Sequence, residues 1–176
     1  MRWVLASYLL VGSACRLSPT VEVKPNENMT LAAGANGDVT CEGGTLALPA
    51  NATINGSIDA TSCVVKITGL VNGSITATGG VVHVIAAPTV NGELVVDGAD
   101  EVVVYNSQLN GGADVEHSAK VTVERSRFNS QGQFIADGAV TIAENFFNGS
   151  LAISDPQSCT QRDNQTNGLL SIASCD

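Results

Sequence analysis

The sequence predicts an all-β fold, a three-sided parallel β-helix of about eight coils, and three observations lead to it. Asparagine recurs at Asn36, Asn55, Asn72, Asn91, Asn110, Asn129, Asn148 and Asn167, each followed by Gly except at Asn129-Ser130. The steps are 19 residues long, apart from one of 17 between Asn55 and Asn72. Apolar residues alternate in phase with that repeat, and the composition, with 18 Gly and many Val, Thr and Asn, favours strands joined by turns. A unit this short cannot bury a core alone; copies stacked on one another can, which is the definition of a solenoid.

Each coil reads as strand, turn, strand, turn, short strand. The first strand carries an alternating pair three and five residues beyond the Asn: Val39/Cys41, Ile58/Ala60, Ile75/Ala77, Leu94/Val96, Ala113/Val115, Gly132/Phe134, Leu151/Ile153 and Leu170/Ile172. The second carries Leu46/Leu48, Val65/Ile67, Val82/Val84, Val102/Val104, Val121/Val123 and Val140/Ile142. One further apolar residue precedes the next Asn, at Ile54, Val71, Val90, Leu109, Phe128 and Phe147. Period-two alternation places one face of every strand inside. At about 4.8 Å per coil the stack is roughly 38 Å long, and parallel crossovers favour right-handed coiling. The repeated Asn is expected to turn a tight corner in left-handed geometry and to bond to the Asn one coil away, with the following Gly adding positive-φ freedom.

The segment Asn72-Gly73-Ser74-Ile75-Thr76-Ala77-Thr78-Gly79-Gly80-Val81-Val82-His83-Val84 resembles one coil of a right-handed β-helix of the pectin-lyase-like superfamily. The resemblance spans about residues 36–172 and concerns architecture. Coils at 55–92 are also similar to those of bactofilins, which implies a possible end-to-end polymer. β-helix lyases use acidic residues on an outer face with Ca²⁺ and an Arg or Lys base, which gives the acidic residues below their enzymatic reading.

Ahead of the repeats, Met1-Arg2, an apolar run from Trp3 to Val11 and small residues Gly12-Ser13-Ala14 form a signal segment over residues 1–14, too short for a permanent membrane span. Leu10-Val11-Gly12-Ser13-Ala14-Cys15 resembles a bacterial lipoprotein signal, which implies lipidation at Cys15 and a membrane link through that anchor alone. Residues 15–35 read as a tether and possible N-terminal cap, and 36–176 as the β-helix domain. Five cysteines are odd in number; setting Cys15 aside leaves four. Cys41 and Cys63 lie in adjacent coils at one end, Cys159 and Cys175 at the other. Two disulfides, Cys41–Cys63 and Cys159–Cys175, are therefore expected, worth about 3 kcal/mol each and suited to an oxidising compartment.

Eight Lys and Arg against seventeen Asp and Glu give −9, which excludes a basic nucleic-acid footprint. His83 and His117 fall on different parts of the coil and make neither a triad nor a His-based zinc site. Asp97, Asp114 and Glu116 share the first face and form a weak candidate Ca²⁺ group; Arg125 and Arg127 are placed on the third face, away from it. Arg125 and Glu144 occupy equivalent positions and should pair. Thr122, Thr141 and Thr160 form a short column that Val103, His83 and Lys66 interrupt, which breaks the lattice an ice-binding face needs. Six sequons occur, at Asn28, Asn51, Asn55, Asn72, Asn148 and Asn164, and those in the Asn column are explained by turn chemistry. The expected function is a non-enzymatic, exported structural, adhesive or binding module of the cell envelope, secreted or lipid-anchored, that meets protein or polysaccharide and needs no cofactor. A Ca-dependent polysaccharide lyase or hydrolase and a bactofilin-like end-to-end scaffold are the alternatives.

Overall fold

A computed structural model describes residues 20–136, 138–172 and Cys175. The signal segment and Cys15 lie outside the described residues. Three parallel sheets wrap one apolar column, with nine, eight and seven strands, and no helix occurs among the described residues. One coil shows the plan: Leu94–Asp97 in the first sheet, Glu101–Tyr105 in the second, Gln108–Leu109 in the third. The repeat is thus a β-solenoid of about eight turns, and the register follows the sequence pattern strand by strand. Leu94 sits between Ile75 and Ala113, Val102 between Val82 and Val121, and Leu109 between Val90 and Phe128.

The stack also takes in part of the segment set apart as tether and cap. Val21–Val23 pairs with Val39–Cys41, and Asn28–Thr30 pairs with Thr45–Ala47. Val23 is fully buried, so apolar burial fixes this coil although it lacks the ladder asparagine.

The core is aliphatic through most of its length and aromatic towards the later coils. Phe128 and Phe147 stack with centroids 4.5 Å apart, and Phe134 meets Phe147 edge-on at 6.5 Å. Gly132 points inward among them. A Cβ there would come within 2.5 Å of the Phe147 ring, so the missing side chain is the space the aromatics fill.

The ladder is present, but its backbone differs from expectation. Asn55 Nδ2 donates to Asn36 Oδ1, Asn72 to Asn55 and Asn91 to Asn72, each at 2.7 Å. Asn110 donates to Asn91, Asn129 to Asn110 and Asn167 to Asn148 at 2.5–2.8 Å. None of these asparagines has a positive φ, and among the glycines that follow them only Gly37 does. Glycine serves close approach instead. A Cβ on Gly73 would lie 2.4 Å from the Gly56 carbonyl oxygen, and one on Gly111 2.4 Å from that of Gly92. Left-handed geometry is found at the other two corners, carried mostly by Gly and Asn between the first and second sheets and mostly by other residues between the second and third.

Both cysteine pairs lie at disulfide distance, with Cα atoms 6.2 Å apart for Cys41–Cys63 and 4.6 Å for Cys159–Cys175. They tie neighbouring coils near the two ends of the stack, as an oxidising surrounding would permit.

Candidate functional site

The corner between the second and third sheets carries a concavity of the surface. From Asn106 onward it settles into a two-residue turn. Its first residue is left-handed at Asn106, Arg125, Glu144 and Asp163, with φ of 48°, 52°, 59° and 53°. Such geometry is costly for residues with a Cβ, and the next residue supports it. Ser107, Ser126 and Asn145 are buried and tucked inward. Ser107 N–H donates to Ser126 Oγ at 3.2 Å, and Ser126 N–H to Asn145 Oδ1 at 2.8 Å. Asn145 N–H donates to Asn164 Oδ1 at 3.1 Å, while Asn145 Nδ2 donates to the Val123 carbonyl at 2.8 Å. This is a second, internal polar ladder.

With the backbone turned this way, the charged side chains stand outward. Glu144 joins two guanidiniums: Arg125 Nε donates to Oε2 at 2.9 Å and Arg162 Nη1 to Oε1 at 2.7 Å. Arg125 also reaches the Tyr105 hydroxyl at 3.0 Å. The Arg125 hydrogen bond, then that of Arg162, holds the Glu144 carboxyl below its ordinary value, and the same bond with Glu144 raises Arg125. Opposite them runs the outward column of the third sheet, Thr89, Gln108, Arg127, Phe146 and Gln165, in unbroken register. Arg127 lies with its guanidinium carbon 4.6 Å from the Phe146 ring centroid and donates from Nε to Asn129 Oδ1 at 3.2 Å. Between the two columns is an open groove of about 440 Å³, floored by the internal ladder and lined also by Ala87 and Pro88.

Sequence reasoning did not single out this groove. Arg125, expected on the third face, occupies the corner, while Arg127 does belong to the third sheet. The available signal was Ser107, Ser126, Asn145 and Asn164 at 19-residue spacing. It is faint because the column mixes Ser with Asn, and the column before it mixes Asn, Arg, Glu and Asp.

The acidic candidates are brought together in part. Asp97 and Glu116 are register neighbours in the first sheet. The third group close to them is His117, whose Nδ1 is 2.8 Å from Asp97 Oδ1; one ligand atom from each of the three falls within 4.8 Å. Asp114 lies elsewhere on that face, between Val95 and Gln133, with Oδ1 buried and without a hydrogen-bond partner. Two carboxylates and an imidazole are a feasible cation set, but Asp97 and His117 are more than half exposed, so solvent competes for every position. His83 belongs to a separate group on the second sheet. Its Nε2 is 3.1 Å from Glu101, which also accepts from Lys120 Nζ at 2.7 Å. Lys120, then His83, holds the Glu101 carboxyl below its ordinary value. Thr122 and Thr141 stack below Thr160, with Val103, His83 and Lys66 preceding them.

Comparison of the chain with protein-family models, curated proteins and solved structures returns no match.

Proposed function

We propose that the chain is a non-enzymatic, exported β-helical binding module of the cell envelope, right-handed and of pectin-lyase-like architecture, that holds protein or polysaccharide on a rigid surface. The observation that carries this reading is the corner groove. Its walls are side chains repeated at coil spacing, and its floor is backbone locked by an internal ladder of hydrogen bonds. A surface ordered in this way loses little conformational entropy when it binds a long partner. The paired cysteines support export, and acylation at Cys15 would provide the membrane link.

The test is co-sedimentation of the purified, oxidised protein with isolated cell-envelope material, together with assay of released sugar. Retention without release supports a binding module. Depolymerisation that disappears with EDTA and in Asp97→Ala would establish the lyase or hydrolase reading instead. Intact mass of the protein from its own host tests the anchor, since acylation adds mass to a chain beginning at Cys15.

End-to-end association has one observation in its favour. Leu169 and Leu170 are 79% and 52% exposed, whereas Leu151, one coil earlier in the same register as Leu170, is fully buried. Sedimentation velocity of wild type and Leu170→Ser would test it; a monomer at high concentration excludes it.

A further inference from the structure

Resting on the binding-module reading, we infer that the corner groove takes a neutral, extended polysaccharide chain laid parallel to the solenoid axis, with Arg127 and Phe146 as its central platform. The first argument is spacing. Thr89, Gln108, Arg127, Phe146 and Gln165 succeed one another at one residue per coil, so the wall repeats about every 4.8 Å and extends for about 19 Å. A pyranose ring in an extended, equatorially linked chain advances by about one such step, so successive sugars meet successive side chains. An extended peptide advances by about 3.3 Å per residue with its side chains alternating, and falls out of step with the wall.

The second argument is the donor and acceptor inventory. The Gln165 amide can donate and accept, as sugar hydroxyls do, and Gln108, which gives one N–H to Asn110 Oδ1 at 2.8 Å, keeps its second N–H and its carbonyl oxygen. Arg127 has one face on the Phe146 ring and Nε on Asn129, which leaves its terminal N–H groups for ligand oxygens. The Glu144 and Asp163 carboxylates line the same groove and can only accept. Arg125 and Arg127 line it too, and Arg125 and Arg162 already hold both Glu144 oxygens, so the lining has no excess positive charge to hold an acidic polymer, and the net charge of −9 opposes one from further away. The half-buried Phe146 ring has one face under Arg127, and the part of it left exposed adds apolar surface of the kind that packs against the C–H groups of a sugar.

The experiment is isothermal titration of the purified full-length protein, disulfides intact, with cellohexaose, chitohexaose and hexagalacturonate. Phe146→Ala, Arg127→Ala, Phe146→Tyr and Thr76→Ala, the last on the first sheet, are titrated alongside, each first shown by circular dichroism to keep its fold. Binding of either neutral hexamer is expected, weakened about tenfold or more in Phe146→Ala and Arg127→Ala, and retained in Phe146→Tyr and Thr76→Ala. Neutral binding that ignores the two groove alanines overturns the site while leaving a binding module standing. Absence of neutral binding, or binding of hexagalacturonate alone, overturns the ligand class. Neither result bears on the co-sedimentation test, which decides the broader reading separately.

Discussion

The corner leading from the third sheet back to the first and the corner joining the second to the third solve one problem in opposite ways. At the first, asparagine amides bond to one another on the outside, the backbone keeps ordinary φ except at Gly37, and glycine lets successive coils approach closely. At the second, the strain of a left-handed residue is accepted at Arg125, Glu144 and Asp163, and Ser and Asn side chains turn inward to satisfy buried backbone groups. Repetition at the first corner produces a smooth edge. At the second it frees a charged column to stand over a groove. A solenoid can thus keep one edge for cohesion and another for contact, because the two ladders separate the tasks.

If the internal ladder is the more consequential, Asn145→Ala should be the most damaging corner substitution. It strips partners from the Ser126 N–H and the Val123 carbonyl inside the protein, and a loss of about 3 kcal/mol in urea unfolding is expected. Next comes Gly111→Ala, where the new Cβ meets backbone of the preceding coil, at about 2 kcal/mol. Gly98→Ala is its control. That glycine has φ of 67° but nothing within 4 Å, so only the conformational penalty of about 1 kcal/mol should appear. Equal costs at Gly111 and Gly98 would remove the distinction between close approach and φ.

Asn110→Ala should cost about 1 kcal/mol, less than Asn145→Ala. It breaks the bonds to Asn91 and Asn129, but those amides are near solvent and recover water. If thermal melting ranks the two asparagines the other way, the outer ladder is the principal support. The smallest effect concerns the charged column. Glu144 and Glu101 have lowered folded-state pKa values. Their contribution is therefore complete above the ordinary carboxylate pKa of about 4.3 and fades as pH falls through the lowered values. The melting temperature should drop slightly faster below that point in wild type than in Glu144→Gln. Parallel curves would show the Arg125–Glu144–Arg162 group to be irrelevant to folding.

The fold was legible because its causes are local and repeated. Val102/Val104 and Val121/Val123 announce their strand by alternation, and the asparagine spacing sets how many residues close a coil. The glycine beside all but one of the ladder asparagines was also visible, but its reason was not: close approach between Gly73 and Gly56 depends on how far apart two coils settle, which no single coil encodes. The groove was hidden for a related reason. Its left-handed column tolerates Asn, Arg, Glu and Asp alike, since the support comes from the neighbouring side chain and from the next coil. His117 joining Asp97 in place of Asp114 is a further case, because the direction of a turn side chain is set by the turn and not by its distance along the chain.

By itself, then, the sequence determined what periodicity can determine: strands, three sheets, the inward residues and the cysteines that meet. Burial of apolar surface is nearly indifferent to detail, so a pattern of hydrophobic positions suffices to direct it. The tertiary structure decided which corner carries strain, that Gly132 stays empty for the Phe147 ring, and that Arg127 and Phe146 share one wall of a groove. Those outcomes depend on hydrogen-bond direction and contact at ångström range between residues 19 apart in the chain, which exist only once one coil rests upon another.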